Sequence, residues 1–156
     1  MLKKLFLLIC CGVCFSLAAT PGEIGFWFDP PEDMVSNEIE GLALGLPVFD
    51  GHEIEGAAFA ICGSSFKKAE GLQATFIGYT SADSMDGIQI SFVNLIRKKV
   101  SEAAVQLGIF NCSAEKAVQL GVINTCSNNA AFQFGLLNIN KNGFLPVMIL
   151  FNFGKE

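Results

Sequence analysis

Histidine, tryptophan and tyrosine occur once each in the 156 residues, and these shortages exclude several kinds of catalytic site. The single His52, in the segment DGHEIEG, has no second histidine with which to form a zinc site. No G-x-S-x-G segment supplies a serine nucleophile. The segment SADSMDG at 81–87 has too few ligands for a calcium loop, and GSS at 63–65 is not followed by the GK[ST] of a phosphate loop. The sequence therefore predicts neither an enzyme nor a bound metal or cofactor.

Basic residues are the second shortage, because residues 20–55 contain nine acidic residues and no lysine or arginine. The whole chain has a formal net charge of -5. This charge repels a phosphate backbone, so nucleic acid is excluded as a partner. Within this region, FWFDPPEDMVSNEIEG at 26–41 combines aromatic, proline and acidic residues. It is interpreted as an N-terminal cap, with a recognition surface for a cationic partner as the alternative.

The N-terminal apolar run at residues 5–17 is too short to span a bilayer, which takes about 20 residues. It follows the basic leader MLKK and is succeeded by Ala18 and Ala19, whose small side chains suit a signal-peptidase site. We therefore expect residues 1–19 to be a cleaved secretory signal. The mature chain, which suits a single domain, is expected to be exported to the cell surface, the outer membrane or the periplasm.

Cysteine is also sparse in the mature chain, because Cys10, Cys11 and Cys14 leave with the predicted signal. Three cysteines remain, an odd number for an exported protein. Cys112 and Cys126 occupy nearly equivalent positions in successive repeats, where stacking would bring their backbones within disulfide range. The sequence therefore predicts a Cys112–Cys126 disulfide and a buried thiol at Cys62.

Beyond residue 40 the chain repeats an eight-residue unit, A-φ-Q-φ-G-φ-φ-N in its clearest copies, where φ stands for a large apolar residue. Successive units are 13 to 17 residues apart. The length varies only in polar connectors such as YTSADSMD and TCSNNA, which are interpreted as turns. The units begin at Gly41, Gly56, Gly71, Gly87, Ala104, Ala117 and Ala131.

Apolar and polar side chains alternate within each unit, as is typical of half-buried β-strands. Leu72, Ala74 and Phe76 share one side of their strand, and later units repeat the pattern. The opposite side carries glutamine, and asparagine stands where the strand ends. Stacking such strands in register places the amides about 4.7–4.9 Å apart, where they can hydrogen-bond along a column. We assign a structural role to Gln73, Gln89, Gln106, Gln119, Gln133, Asn94, Asn111, Asn124 and Asn138.

The repeat predicts an all-β chain folded as a short-coil β-solenoid of about seven repeats of about 15 residues. Because the ends of a stack expose strand edges, residues 20–40 and 142–156 are expected to be caps around a repeat domain at 41–141. The alternative is an antiparallel eight-stranded outer-membrane β-barrel, with FLPVMILFNF as its eighth strand. The single tryptophan and tyrosine and the evenly short connectors argue against it, since such barrels have aromatic girdles and long loops.

The repeated units and the closing segment NGFLPVMILFNFG, at 142–154, resemble a family of bacterial surface-repeat proteins. These are exported chains built from tandem G-L-Q-φ-G-φ-φ-N units that end in a segment like N-G-x-L-P-x-x-x-L-F-N-F-G. The match covers Gly41 to Gly154, although the first two units lack glutamine and asparagine. The resemblance implies export and exposure at the cell envelope, and it implies no catalytic or ligand-binding residue.

The sequence thus predicts an exported, non-enzymatic repeat protein that serves as a structural or binding module at the bacterial cell surface or in the periplasm. Its partner is an unidentified component of the surface or envelope. The alternative function is a small outer-membrane barrel acting as a pore or anchor, which makes the outer membrane a candidate partner.

Overall fold

The computed structural model describes residues 14–18, 23–26, 38–45, 47–114 and 116–155, which form strands and the turns and bends between them. This described part of the chain contains no helix. The strands are β1 (Cys14–Ala18), β2 (Glu23–Phe26), β3 (Glu38–Gly45), β4 (Val48–Ala60), β5 (Gly63–Thr75), β6 (Tyr79–Ile90), β7 (Val93–Ser113), β8 (Val118–Cys126), β9 (Phe132–Asn140) and β10 (Val147–Phe153).

Strands β3 to β9 stack in chain order, and every neighbouring pair among them is parallel. The chain therefore coils repeatedly in one direction, as a β-solenoid of about six turns with a spacing of about 15 residues. This confirms the predicted fold class, and the parallel pairing differs from that of the antiparallel alternative. Only the ends are antiparallel, since β10 pairs with β9, and β1 lies between β2 and β3.

Equivalent residues of successive repeats are strand partners, so the repeats stack in register. The first two units, which lack the glutamine and asparagine, still join the stack, because Ala58 pairs with Gln73. The longest step between units, 17 residues from Gly87 to Ala104, is accommodated by irregular pairing between β6 and β7. The glycines that open the first four units are successive partners: Gly41, Gly56, Gly71 and Gly87.

The early connectors are strand and not turn, which corrects their interpretation from the sequence. The connector YTSADSMD, residues 79–86, lies within β6 and pairs with β5 on one side and β7 on the other. Polar composition suggested a turn, but Thr80 and Ser81 are buried in the strand together with Ala82 and Met85. The acidic residues of the connector are partly exposed on the outer surface. The later connector TCSNNA does end in a bend, at residues 127–131.

Each long strand turns two corners while its pairing continues. In β4, buried and exposed residues alternate around Phe49 and Gly51. The alternation breaks at His52 and again at Gly56, and it resumes at Ala58. Gly56 has a phi torsion of +133°, in a region of backbone conformation that glycine adopts readily and other residues do not. The coil therefore has three sides, and the repeated unit forms the third. In β4 the first, second and third sides are residues 48–51, 53–55 and 57–60.

An apolar core lies beneath the first two sides in the N-terminal half of the solenoid. The buried rings of Phe49 and Phe66 stack with their centroids 5.4 Å apart. Ile54, Met85 and Ile96 extend this core along the stack. The outward residues of these sides are largely charged or polar, so both sides follow the usual arrangement of apolar inside and polar outside.

At the C-terminal end, β10 folds back along β9 and covers the last coil. The rings of Phe144 and Phe153 stack across this end with centroids 5.0 Å apart. Inside the coil, buried Asn140 accepts a hydrogen bond from the Ala130 N–H at 3.0 Å and donates one to the Ala130 carbonyl at 3.3 Å. A side chain thus supplies partners for backbone groups at the end of the stack.

At the N-terminal end, β1 lies within the predicted signal sequence at 1–19. It pairs with β3 from Cys14 opposite Gly45 to Ala18 opposite Gly41. Cleavage after residue 19 would therefore remove the strand that covers this edge of β3. Most of the predicted N-terminal cap, residues 27–37, lies outside the described residues.

The corner glycines give a test of the coil geometry. Gly71 has a phi torsion of +109°, and a Cβ added there would collide with the carbonyl oxygen of Gly56. We expect Gly71→Ala to lower the free energy of unfolding by about 3 kcal/mol or more, measured by urea denaturation. The control is Ala104→Gly in the same column, which loses only a methyl group and some backbone rigidity, about 1 kcal/mol. Equal losses in the free energy of unfolding of the two variants would contradict the assignment of Gly71 to a corner of the coil.

Candidate functional site: the apolar face of the solenoid

The third side of the coil reverses the usual arrangement of a protein surface. Its amide side chains point into the coil, and its apolar side chains point out. Gln106, Gln119 and Gln133 stand in one column as successive strand partners. Gln73 and Gln89 continue this column toward the N-terminus. All five side chains have an exposed fraction of 0%. The interior of this side is therefore built from polar groups, and its stability depends on how they are hydrogen-bonded.

Glutamine amides brace both the column and the individual coil. Gln119 Nε2 donates to Gln106 Oε1 at 2.8 Å and to the Thr125 carbonyl at 3.0 Å. The second bond crosses the interior of the coil, joining two parts of one strand. The same two bonds, to the preceding glutamine and to the carbonyl six residues ahead, recur at Gln89, Gln106 and Gln133.

Asparagine forms a second ladder beside the first. Asn94 Nδ2 donates to Asn111 Oδ1 at 2.7 Å, and the next two steps, to Asn124 and then Asn138, are 2.8 Å each. The second hydrogen of each donor amide bonds to a backbone carbonyl of the following coil, so these fully buried amides leave no donor unused. The carbonyl acceptors are those of Leu107, Leu120 and Phe134.

The two ladders run in opposite directions along the stack, since glutamine donates to the preceding coil and asparagine to the following one. Their ends differ accordingly. Asn94 Oδ1 accepts hydrogen bonds from Thr80 Oγ1 at 2.7 Å and Ser91 Oγ at 3.0 Å, so hydroxyl groups begin the asparagine ladder. At the other end, Gln133 Oε1 is buried and has no hydrogen-bond partner among the described residues.

The glycine of the repeated unit makes room for the asparagine ladder. A Cβ added at Gly121 would lie 2.5 Å from Asn111 Nδ2, and it would collide with the carbonyl oxygen of Gly108. Gly135 is related in the same way to Asn124. The G and the N of the unit thus act together, because the amide of one coil occupies the space that a side chain of the next coil would need.

Burying the amides turns the apolar side chains of the unit toward solvent. Some, such as Leu72 and Leu107, are partly buried by their neighbours, whereas the more exposed ones range from 37% at Leu120 to 78% at Phe76. β10 adds Phe151, which lies opposite Phe134 and therefore on the same side of the sheet, and Phe153. We call this surface the apolar face, and its most exposed members are Phe59, Ile61, Phe76, Ile88, Ile90, Phe92, Ile109, Leu120, Val122, Phe132, Phe134, Leu136, Phe151 and Phe153.

The size of the apolar face sets it apart from the scattered apolar residues of an ordinary surface. Its members are about half exposed on average, which corresponds to roughly 1,000 Å² of apolar surface. None of the residues described on this face is charged. The largest apolar patch of a typical soluble monomer is about 300–600 Å², and larger patches mark interaction sites. The apolar face is therefore the candidate functional site.

A row of carboxylates borders the apolar face, immediately before the corner glycines. Glu40, Glu55, Glu70 and Asp86 are successive strand partners in this row. Glu70 contacts Lys68 Nζ at 2.9 Å, and this hydrogen bond raises the pKa of the Lys68 ammonium group. The border thus has a negative character that the face itself lacks.

A separate charged cluster lies at the first corner of the coil, away from the apolar face. Lys98 Nζ donates to Asp83 Oδ2 at 2.7 Å, and this bond lowers the pKa of the Asp83 carboxyl group. His52, the single histidine, is exposed, and its Nε2 lies 3.4 Å from Lys67 Nζ. These residues contact one another at the surface.

The predicted disulfide between Cys112 and Cys126 is wrong. Cys112 lies opposite Thr125, one residue short of Cys126. Because side chains alternate along a strand, this offset places the two cysteines on opposite sides of the sheet, with Cys126 buried in the interior. Cys126 Sγ instead lies 3.9 Å from the Ala114 carbonyl oxygen. The expectation for Cys62 was also wrong, since it is exposed at the bend after β4.

The sequence placed the residues of the apolar face together on one side of each strand, but alternation does not show which side is the interior. Leucine and phenylalanine would ordinarily be assigned to the core and glutamine to the surface. The signal that identifies the interior is the glycine two residues after the glutamine, as Gly121 follows Gln119. A glycine is needed there because the neighbouring asparagine amide packs against it.

The glutamine ladder predicts a large loss of stability from a substitution that conserves size. Gln119→Leu leaves Gln106 Oε1 without its partner and removes the side-chain donor to the Thr125 carbonyl. It also leaves Gln133 Nε2 with only its bond to the Ile139 carbonyl. We expect the free energy of unfolding to fall by about 3 kcal/mol or more, as measured by urea denaturation.

Asn128→Ala is the control for Gln119→Leu. It removes an exposed amide that accepts one hydrogen bond from Asn142, and it should cost at most about 0.5 kcal/mol. A Gln119→Leu protein as stable as wild type would show that Gln119 is not buried.

Thiol reactivity tests the placement of the cysteines. Iodoacetamide should alkylate Cys62 of the folded mature chain first. Cys112 should react more slowly, because partial burial raises the pKa of its thiol and leaves less of the reactive thiolate. Mass spectrometry without reductant should detect no peptide pair joined through Cys112 and Cys126. Detection of that pair would contradict the one-residue offset.

The described residues hold no group of three or more His, Cys, Asp or Glu side chains that could bind a metal ion. Within the same residues, no helix has the length and apolar character that a membrane crossing requires. In comparisons of the chain with known proteins, no family model, curated protein or solved structure matches it.

Proposed function

We propose that the protein is an exported, non-enzymatic structural or binding module of the bacterial cell envelope, and that it acts through the apolar face. The observation that carries this proposal is the roughly 1,000 Å² of uncharged apolar surface exposed on one side of the solenoid. The N-terminal signal features and the resemblance to exported surface-repeat chains support the location.

The register of the strands fixes the outward direction of the apolar side chains. A slip of one residue would exchange the two sides of the strand, burying the apolar residues and exposing the amides. That slip would break both ladders and would force the side chain after Gly121 into the space now held by Asn111. The fold therefore specifies an apolar surface, at the cost of exposing that surface to water when no partner is present.

The interior polar groups are poorly placed for catalysis, which supports a non-enzymatic role. The amides of Gln119 and Asn124 have no exposed surface, and their nitrogen atoms donate the ladder bonds to Gln106 and Asn138. At the surface, the acidic Asp83 is engaged by Lys98, and Glu70 by Lys68. Binding through the apolar face is the function that this arrangement favours.

Cell fractionation tests both parts of the proposal. The wild-type protein should be exported, should lose residues 1–19 and should co-sediment with the cell envelope. A double variant, Ile90→Lys with Leu120→Lys, places two charges near the centre of the apolar face. It should be exported and processed normally but should move largely to the soluble exported fraction, because a partner would have to bury both charges.

The matched control is Val48→Lys with Val147→Lys. These two side chains are 39% and 54% exposed and lie off the apolar face, with Val48 on the first side and Val147 opposite Ile139. This variant should stay with the envelope. An unprocessed wild-type protein in the cytoplasm would refute export, and equal envelope retention of both double variants would refute a role for the apolar face.

A further inference from the structure

We infer that the apolar face binds a second copy of this chain, giving a twofold dimer in which two solenoids pack face to face. The inference rests on the proposed function, because it identifies the partner of the same surface. It goes further in naming that partner and in excluding lipid as the occupant.

The area of the apolar face matches what a stable dimer needs. A standard interface buries about 800 Å² on each partner, and the apolar face offers roughly 1,000 Å². The face is one side of a continuous ladder of parallel strands from β3 to β9, extended by β10. Two such sheets can pack at about 10 Å with their side chains interdigitated, as in a β-sandwich.

The composition of the apolar face suits a copy of itself. A twofold interface brings the same patch of both subunits together, so an uncharged surface can pair with itself without repulsion. Its relief also allows interdigitation. The Phe76 residue projects with 78% of its surface exposed, and the short side chain of Ala74 lies between Phe59 and Ile90 on the neighbouring strands.

The acidic border stays in water in a face-to-face dimer. Glu40, Glu55, Glu70 and Asp86 lie along one border of the N-terminal half of the face. A twofold axis parallel to the stack places the two acidic rows at opposite edges of the dimer. An axis parallel to the strands, through the middle of the stack, places each row beside the C-terminal half of the other copy. Neither arrangement brings the like charges together.

The same border disfavours a lipid surface as the occupant. Proteins that lie on membranes surround their apolar surface with lysine and arginine, which are attracted to anionic headgroups. Here the row beside the apolar face is acidic, and of its members Glu70 is in contact with a lysine. A bilayer would bring anionic headgroups against these carboxylates, whereas a second copy leaves them hydrated.

Sedimentation equilibrium of the purified mature chain, residues 20–156, tests the dimer in detergent-free buffer from about 1 to 50 µM. The wild-type chain should be a dimer over this range. Ile90→Lys with Leu120→Lys should raise the dimer dissociation constant by at least about 100-fold, because both lysines would be buried against apolar residues. The Val48→Lys, Val147→Lys control should dimerise like wild type, and circular dichroism should show the same strand content in all three.

Two results would overturn the dimer: a wild-type chain that stays monomeric at about 50 µM, or one that forms aggregates of no defined size. Transfer of the wild-type chain from dimer to phosphatidylcholine–phosphatidylglycerol vesicles would identify lipid as the occupant and would equally overturn it. If the chain is monomeric but is still retained in the envelope through its apolar face, the dimer fails and the proposed function stands. If the protein dimerises but remains unprocessed in the cytoplasm, the dimer stands and the proposed function fails.

Discussion

Hydrogen bonds between stacked side-chain amides hold the third side of the solenoid together, and the other features of the structure depend on them. Such a ladder requires parallel, in-register strands, because its members must repeat at the strand spacing. A buried amide must use its donors, and Gln119 does so with one neighbour in the column and one carbonyl of its own coil. Gly121 must lack a side chain so that Asn111 can reach its partners. The apolar residues of the unit are thereby excluded from the interior, and they form the outer face.

The ladders develop out of an ordinary apolar core. In the column that becomes the asparagine ladder, the first inward residue is Phe49, followed by Ser64, Thr80 and Asn94. Two hydroxyl side chains, Ser64 and Thr80, thus lie between the packed ring of Phe49 and the stacked amides. Thr80 donates a hydrogen bond to Asn94, the first amide of the ladder. In the N-terminal coils the first two sides keep apolar residues inside and charged residues outside, and only the third side has the reverse arrangement. From Asn94 onward the first side also carries a buried amide, so the interior of the C-terminal coils is largely polar.

Much of this fold could be predicted from the sequence, because the repeat and its period of two encode register directly. The columns of glutamine and asparagine follow once near-identical strands are stacked. Three features could not be derived in this way. Polar composition made YTSADSMD resemble a turn, although Thr80 and Ser81 are buried inside a strand and the acidic residues lie on its outer surface. Approximate alignment of Cys112 with Cys126 missed a one-residue offset that reverses the direction of a side chain. Alternation also does not identify the interior, which is set by the fit of glycine against asparagine.

Hydrogen exchange of the side-chain amides, followed by NMR in the folded mature chain, tests most directly whether glutamine and asparagine form the interior. The Nε2 group of Gln119 and the Nδ2 group of Asn124 each donate one ladder bond and one bond to a backbone carbonyl and have no exposed surface, whereas Asn128 is exposed. The account predicts that Gln119 and Asn124 exchange at least about 100-fold more slowly than Asn128, because exchange requires the coil to open. Exchange of all three amides at the same rate would contradict a buried ladder, and with it the outward direction of the apolar face.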